Sequence, residues 1–203
     1  MCIRDRNTFA LEGSIFIAGA GVQWLRDKLK LINNAYDTEQ IVKSKKNNEG
    51  VYVVPAFSGL GAPYWRPDAR GVITGLTRNS DWKTLVRAVI ESVAYQSYDL
   101  FNAMRKDGLK PNIVKIDGGM VENDWFSQFL ANIIDIKTER PKVLETTALG
   151  VALFAGYQIG IFKSLHQIKR KWKKERTFKP KLSSTIRKKL LNGWKLSVDK
   201  TLL

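Results

Sequence analysis

The sequence predicts an α/β fold, a mixed sheet covered by helices, and two observations carry that expectation. Strand-like runs alternate with helix-like runs along the 203 residues, the pattern of a sheet that buries its faces under helices. One of these runs, Ile113–Ile116, passes through Asp117-Gly118-Gly119 directly into a helix-like segment. Glycine has no Cβ, so backbone there can lie flat against a ligand or turn at positive φ. Amide groups at a helix N-terminus can then meet a nucleotide. The same glycine pair also makes a plain turn, and the segment is neither GxGxxG nor GxxxxGK[ST].

The elements follow in order. Met1–Arg6 matches nothing after it and has the look of a translated scar at a truncated end, so it is set apart from the fold. Thr8–Gly13 is strand-like. From Ser14 to about Lys30, the spacing of Ile15, Ala18, Val22, Leu25 and Leu29 gives one apolar helical face, with Gly19 and Gln23 four apart on the adjacent face. A polar stretch, Lys43–Gly50, leads to a strand over Val51–Phe57. Ser58–Pro67 is a loop rich in Gly, Pro and aromatics, and Gly71–Leu76 is a second strand. Ser80 or Asp81 can cap a long helix to about Lys106 whose inward face is Val86, Val89, Val93, Leu100 and Met104.

Beyond Gly119 a helix runs through Ile134, followed by a strand at Ile136–Arg140 that stops at Pro141. Thr146–Phe162 is uncharged and shorter than the roughly 20 apolar residues of a membrane span. It is expected as a buried helix over Glu145–Ile159. Its small residues, Ala148, Gly150, Ala152, Ala155 and Gly156, allow close approach of a neighbour. Ile186, Leu190 and Trp194 form the stripe of a terminal helix.

Composition narrows the function classes. Apolar residues make up 44% and charged residues 26%, a globular balance rather than a disordered one. Cys2 is the sole cysteine and His166 the sole histidine, which argues against a disulfide framework, a His metal site or a Ser-His-Asp triad. The absence of a leader pattern and the single thiol suggest a cytoplasmic protein. The net charge of +15 is lopsided, with +12 of it from Lys163 onward. Such a segment could bind nucleic acid, but its apolar stripe suits a packed helix with a solvated basic face better.

Five motifs, ALEGSIFIAGAGVQWLRD (from Ala10), EGVYVVPAF (from Glu49), GLGAPYW (from Gly59), DGGMVEN (from Asp117) and ERPKVLETTALGVALFAG (from Glu139), occur in this order. Together they resemble the C-terminal half of the glycerol kinases, in the sugar-kinase family with the actin/Hsp70/hexokinase-type fold. The resemblance covers Thr8 to about Phe162 closely and the remainder more loosely. It implies a ribonuclease-H-like (actin-type ATPase) domain, truncated at its N-terminal side. Residues 7–165 would be the nucleotide-binding domain and 166–203 a basic helical extension of it. Family members bind ATP between two such domains, and this chain resembles the second.

By the same resemblance Gly19 and Gln23 approach the nucleotide, Gly119 with Gly118 lies against its adenosine part, and Asn123 bonds the base. Carboxamides, which both donate and accept, suit a neutral heterocycle; Asn123 could otherwise simply start a helix. The family's phosphate-binding Asp-Gly-Thr turn, polyol site and general base have no counterpart among these residues. MgATP-dependent phosphorylation of glycerol is thus expected of a longer parent, commonly a homo-oligomer, with Mg²⁺ held mainly by the missing domain and the phosphates. The fragment alone should be inactive.

Three departures accompany the resemblance: Thr84 in the family's second signature, where capping could tolerate it; Glu122 beside Asn123; and the basic Lys169–Lys189, for which no regulatory partner is carried over. Two other readings stay open. One is a free-standing nucleotide- or nucleic-acid-binding module, with Trp172 and Phe178 among its lysines. The other is a non-functional truncation with exposed core.

Overall fold

The computed structural model describes residues 12–203; the scar-like Met1–Arg6, Cys2 and most of the strand-like Thr8–Gly13 lie outside them. Seven helices and five strands follow in the order α1 Gly19–Asp27, α2 Asp37–Ser44, β1 Tyr52–Val54, β2 Val72–Thr74, α3 Trp82–Lys106, β3 Ile113–Lys115, α4 Asp124–Ile134, β4 Lys137–Pro141, α5 Thr146–Gln158, α6 Leu165–Lys169, β5 Lys174–Phe178 and α7 Ser184–Thr201. A 3-10 turn, Gly119–Glu122, joins β3 to α4. β1 and β2 form an antiparallel pair. The other sheet runs β3-β4-β5, with β3 parallel to β4 and β4 antiparallel to β5. The sheet is mixed and helices flank it, as the alternation of runs predicts.

The 25-residue α3 is the axis of the core. Asp81 caps it, its Oδ1 accepting from the Thr84 N–H at 2.8 Å, which satisfies one of the amides a helix start leaves unpaired. Thr84 is fully buried, and its hydroxyl donates to Glu49 Oε2 at 3.0 Å. The residue that departs from the family pattern is thus held within the capping arrangement. Val86, Val89 and Val93 are buried, while Leu100 and Met104 lie half-buried where the helix leaves the core. α3 packs against α4, α2, β1 and α1.

The C-terminal helix α7 also reaches this axis, through Trp194. Trp194 is 1% exposed. Its ring stacks on Tyr95 at 5.4 Å between centroids, and its Nε1 donates to Asp99 Oδ2 at 2.6 Å. Tyr64, from the Gly- and aromatic-rich loop, donates its hydroxyl to the same oxygen at 2.8 Å. In the predicted stripe only Trp194 is fully buried; Leu190 is half-buried and Ile186 faces solvent.

The structure corrects several expectations. α1 starts at Gly19 rather than Ser14, and the strand expected over Val51–Phe57 is only Tyr52–Val54. α2 and β5 are additional elements. The largest correction concerns α5, expected to be buried. Only Gly156 is buried in it, and Val151 and Phe154 are 66% and 43% exposed. Its sequence is apolar on every side and so defines no inward face; α6 is the element that packs along it. No helix among the described residues is long and apolar enough to cross a membrane.

Candidate functional site

A cleft of about 750 Å³ opens between α1, the start of α2, α3 and the turn from β3 into α4. Apolar spacing creates its floor: Val22 from α1, Ile90 and Val93 from α3, and Val121, Phe126 and Leu130 from the α4 side line it and also belong to the core. Its walls are polar. Gly19, Gln23 and Arg26 lie along α1, and Asp117 to Asn123 along the opposite side. All five residues singled out in the sequence, Gly19, Gln23, Gly118, Gly119 and Asn123, line this one cleft. Glu122 lines it as well. An apolar slot with a few polar groups converging on it is the usual form of a small-molecule site.

The glycines divide by what surrounds them. A Cβ built on Gly19, Gly118 or Gly119 meets nothing within 4 Å, so these positions present bare backbone to the cleft. Gly118 also has a turn to make. Its φ is +84°, a region where a side chain is strained, and its N–H donates to the Leu144 carbonyl at 3.1 Å. Gly119 has no such constraint. By contrast, a Cβ on Gly21, two residues after Gly19, would sit 3.1 Å from Val89 Cγ1.

The β3–α4 turn is held from below. Arg140, 8% exposed on β4, donates to the Val121 carbonyl while pairing with Asp124 at 2.9 Å and Glu175 at 2.7 Å. These carboxylates hold the Arg140 pKa above its ordinary value, Glu175 most strongly. Ser127 Oγ donates to the same Val121 carbonyl at 3.0 Å. Asn123 then caps α4, its Oδ1 accepting from the Phe126 N–H at 2.9 Å. It therefore does start a helix, and it does so while lining the cleft.

The wall from α2 is absent from the sequence reading. Ala35, Tyr36, Thr38 and Glu39 line the cleft, Tyr36 at its rim with 75% exposure. The one local signal for this corner is the pair Asn33-Asn34 ahead of Asp37, whose Oδ2 accepts from both asparagine N–H groups at 3.0 Å. That predicts a turn, not a binding wall. Arg26 donates to the adjacent Asp27 through two nitrogens, at 2.7 and 3.0 Å.

The basic region offers less as a site. Phe178 is buried at 3% exposure, with the guanidinium groups of Arg140 and Arg176 over its ring at 5.4 and 5.1 Å. Trp172 carries the Lys115 ammonium at 3.8 Å from its ring centre. The two aromatics are anchors for charge and core rather than free faces for stacking bases. Among the described residues no group of three or more His, Cys, Asp or Glu could hold a metal ion.

Comparison with known proteins bears on this geometry. The C-terminal domain of the FGGY family of carbohydrate kinases matches residues 3–159. The glycerol kinase of Gluconobacter oxydans is 51% identical over 201 residues, covering 98% of this chain and 39% of that protein. The glycerol kinase of Ectopseudomonas mendocina is 53% identical over 188 residues, covering 92% and 38%. The chain thus spans about two fifths of the curated relatives it matches. Among solved structures, Plasmodium falciparum glycerol kinase with ADP superposes with a TM-score of 0.82 at 38% identity, over 91% of this chain and 37% of that one. A xylulose kinase from Lactobacillus acidophilus, at 23% identity and a TM-score of 0.76 over 92% and 38%, shares the fold.

Proposed function

The chain belongs to the FGGY family of carbohydrate kinases, and from that premise we propose that it is the ATP-binding C-terminal domain of a glycerol kinase. The parent enzyme would transfer the γ-phosphoryl group of ATP to glycerol, giving sn-glycerol 3-phosphate. The observation that carries the reading is the convergence of Gly19, Gln23, Gly118, Gly119 and Asn123 on one apolar-floored cleft. The glycines there face open space. An adenine ring would lie on the floor between α1 and α4, with carboxamides at its edges and bare backbone at Gly119 against the ribose. The Plasmodium falciparum relative solved with ADP supports a nucleotide as the occupant.

These residues bind and orient; they do not supply the chemistry. Polyol recognition, the general base and the phosphate turn belong to the rest of the parent, so these residues alone are read as inactive. A magnesium ion has no group of three or more His, Cys, Asp or Glu to hold it among the described residues, and it would be held mainly by the rest of the parent and the nucleotide phosphates. Residues 166–203 are read as part of the same domain as 7–165, since Trp194 completes the core beside Tyr95. The same reading makes the protein cytoplasmic, and the parent a homo-oligomer.

The test is a calorimetric titration of the chain with ADP, set beside the Gly119→Val variant. A Cβ there meets no protein atom within 4 Å, so thermal unfolding should be little moved while ADP affinity falls at least about tenfold, the factor corresponding to ~1.4 kcal/mol. Equal affinity in the two proteins would remove the nucleotide from this cleft.

A further inference from the structure

We infer that Thr38 is a positioning residue for the nucleotide base, holding the Asn123 carboxamide in a single orientation in the cleft. The inference rests on the nucleotide reading above. It starts from the atoms around Asn123. A backbone N–H can only donate, so the Phe126 N–H at 2.9 Å fixes which end of the amide is oxygen. The other end, Nδ2, donates to Thr38 Oγ1 at 3.3 Å. That hydroxyl is free to accept because its own proton goes to the Ala35 carbonyl at 2.6 Å.

The relay Asn123 to Thr38 to Ala35 crosses from α4 to α2, and all three residues line the cleft. Thr38 is 3% exposed, so its hydroxyl has no water to compete for it. A carboxamide has two N–H donors and two acceptor lone pairs. Phe126 takes one lone pair and Thr38 takes one N–H. What remains is one donor beside one acceptor, the pattern that matches the edge of a purine. The terminal torsion of an asparagine is soft, and without the hydroxyl only the single bond from the Phe126 N–H would hold that pattern in register. Thr38 touches no base in this scheme; it acts through Asn123.

A tie between α2 and α4 is the competing account, and it predicts a change in stability only. The discriminating readout is base chemistry. The chain is titrated with ADP, with its 1-, 3- and 7-deaza analogues, and with the diphosphate of purine riboside, which lacks the 6-amino group. In the wild-type chain at least one analogue should bind about three- to tenfold more weakly than ADP, the worth of one hydrogen bond. In Thr38→Val, ADP itself should weaken by about that factor, and the penalty for that analogue should shrink to within about twofold. Thr38→Ser, which keeps the hydroxyl, should restore both.

An unchanged analogue penalty in Thr38→Val overturns the inference while leaving the cleft a nucleotide site, as does a wild-type chain that tolerates every analogue. Failure of the wild-type chain to bind ADP overturns the reading beneath it as well. Should the valine variant fail to fold, the side-chain amide protons of Asn123 in the wild-type chain decide by hydrogen exchange. One slowed proton is expected, and two protons exchanging at the free rate would overturn the relay.

Discussion

The two sides of α3 show how one helix can serve stability and a site at once. Arg87, Glu91, Tyr95 and Asp99 recur every four residues along one side; Ile90, Val93 and Ser97 occupy the other. On the first side every charged group is engaged. Arg87 pairs with Glu91 at 2.7 Å and donates to the Val42 carbonyl at 3.1 Å. Tyr95 donates to the second Glu91 oxygen at 2.9 Å, and Asp99 accepts from Trp194 and Tyr64. On the second side the middle of the helix faces an open cleft, across from glycines with nothing against them. The charged groups on the first side of α3 are paired, while the second side opens onto the cleft proposed for the nucleotide.

The comparison breaks most visibly on the satisfied side. Arg87→Ala strands the Glu91 carboxylate, which is 1% exposed. Removing one partner of a buried pair costs about 3–5 kcal/mol, so urea unfolding should move by that amount. ADP affinity of the protein that stays folded should not change. A variant with wild-type stability would show that the pair is not part of the frame.

A finer contrast lies within α1. Gly19→Ala adds a methyl group to open space and should raise stability by roughly 0.5 kcal/mol through helix propensity, yet lower ADP affinity. Gly21→Ala makes the same propensity gain but drives its methyl group towards Val89 in the packed core, where overpacking costs about 1–3 kcal/mol, so a net loss of stability is expected, with affinity retained. Thermal melts and ADP titrations of the two proteins should therefore rank in opposite order. If both variants change in the same sense, the division into frame and cleft fails at α1.

Asp99 gives the smallest effect and the clearest sign. Burial raises its pKa, outweighing the hydrogen bonds from Trp194 and Tyr64 that lower it. The folded state therefore holds the proton more tightly than the unfolded one. Its contribution to stability is fully present below the unfolded carboxylate value of about 4 and is lost as pH rises through the raised one. Asp99→Asn should remove this part of the fall, and urea midpoints measured from pH 4 upward should decline less than in the wild type.

Much of the frame was legible because its signals are local or periodic. α3 declares itself by capping at Asp81 and by valines at helical spacing, and Asn123 by its place just after a turn. α5 could not be read correctly, since a helix apolar on every side carries no information about what covers it. β5 was hidden by Lys174-Glu175-Arg176, whose charges mask the single buried anchor, Phe178. In the cleft, glycines and carboxamides stand out by residue type once a resemblance directs attention to them. Thr38 does not. Its partner lies 85 residues away, and a threonine in an eight-residue helix looks like any surface hydroxyl until the fold buries it.

Trp194 has a consequence for how the molecule is made. The wall it completes is assembled from Tyr52 on β1, Tyr95 and Asp99 on α3, and Gly193, whose backbone lies against the Tyr52 ring. A ribosome releases about 5–20 residues per second, so β1 and α3 emerge well before the tryptophan they are shaped to receive. Until then the face of Tyr95 and the edge of Asp99 that Trp194 covers have no partner from α7. Translation, not the order of helices in space, sets the moment at which this domain can close.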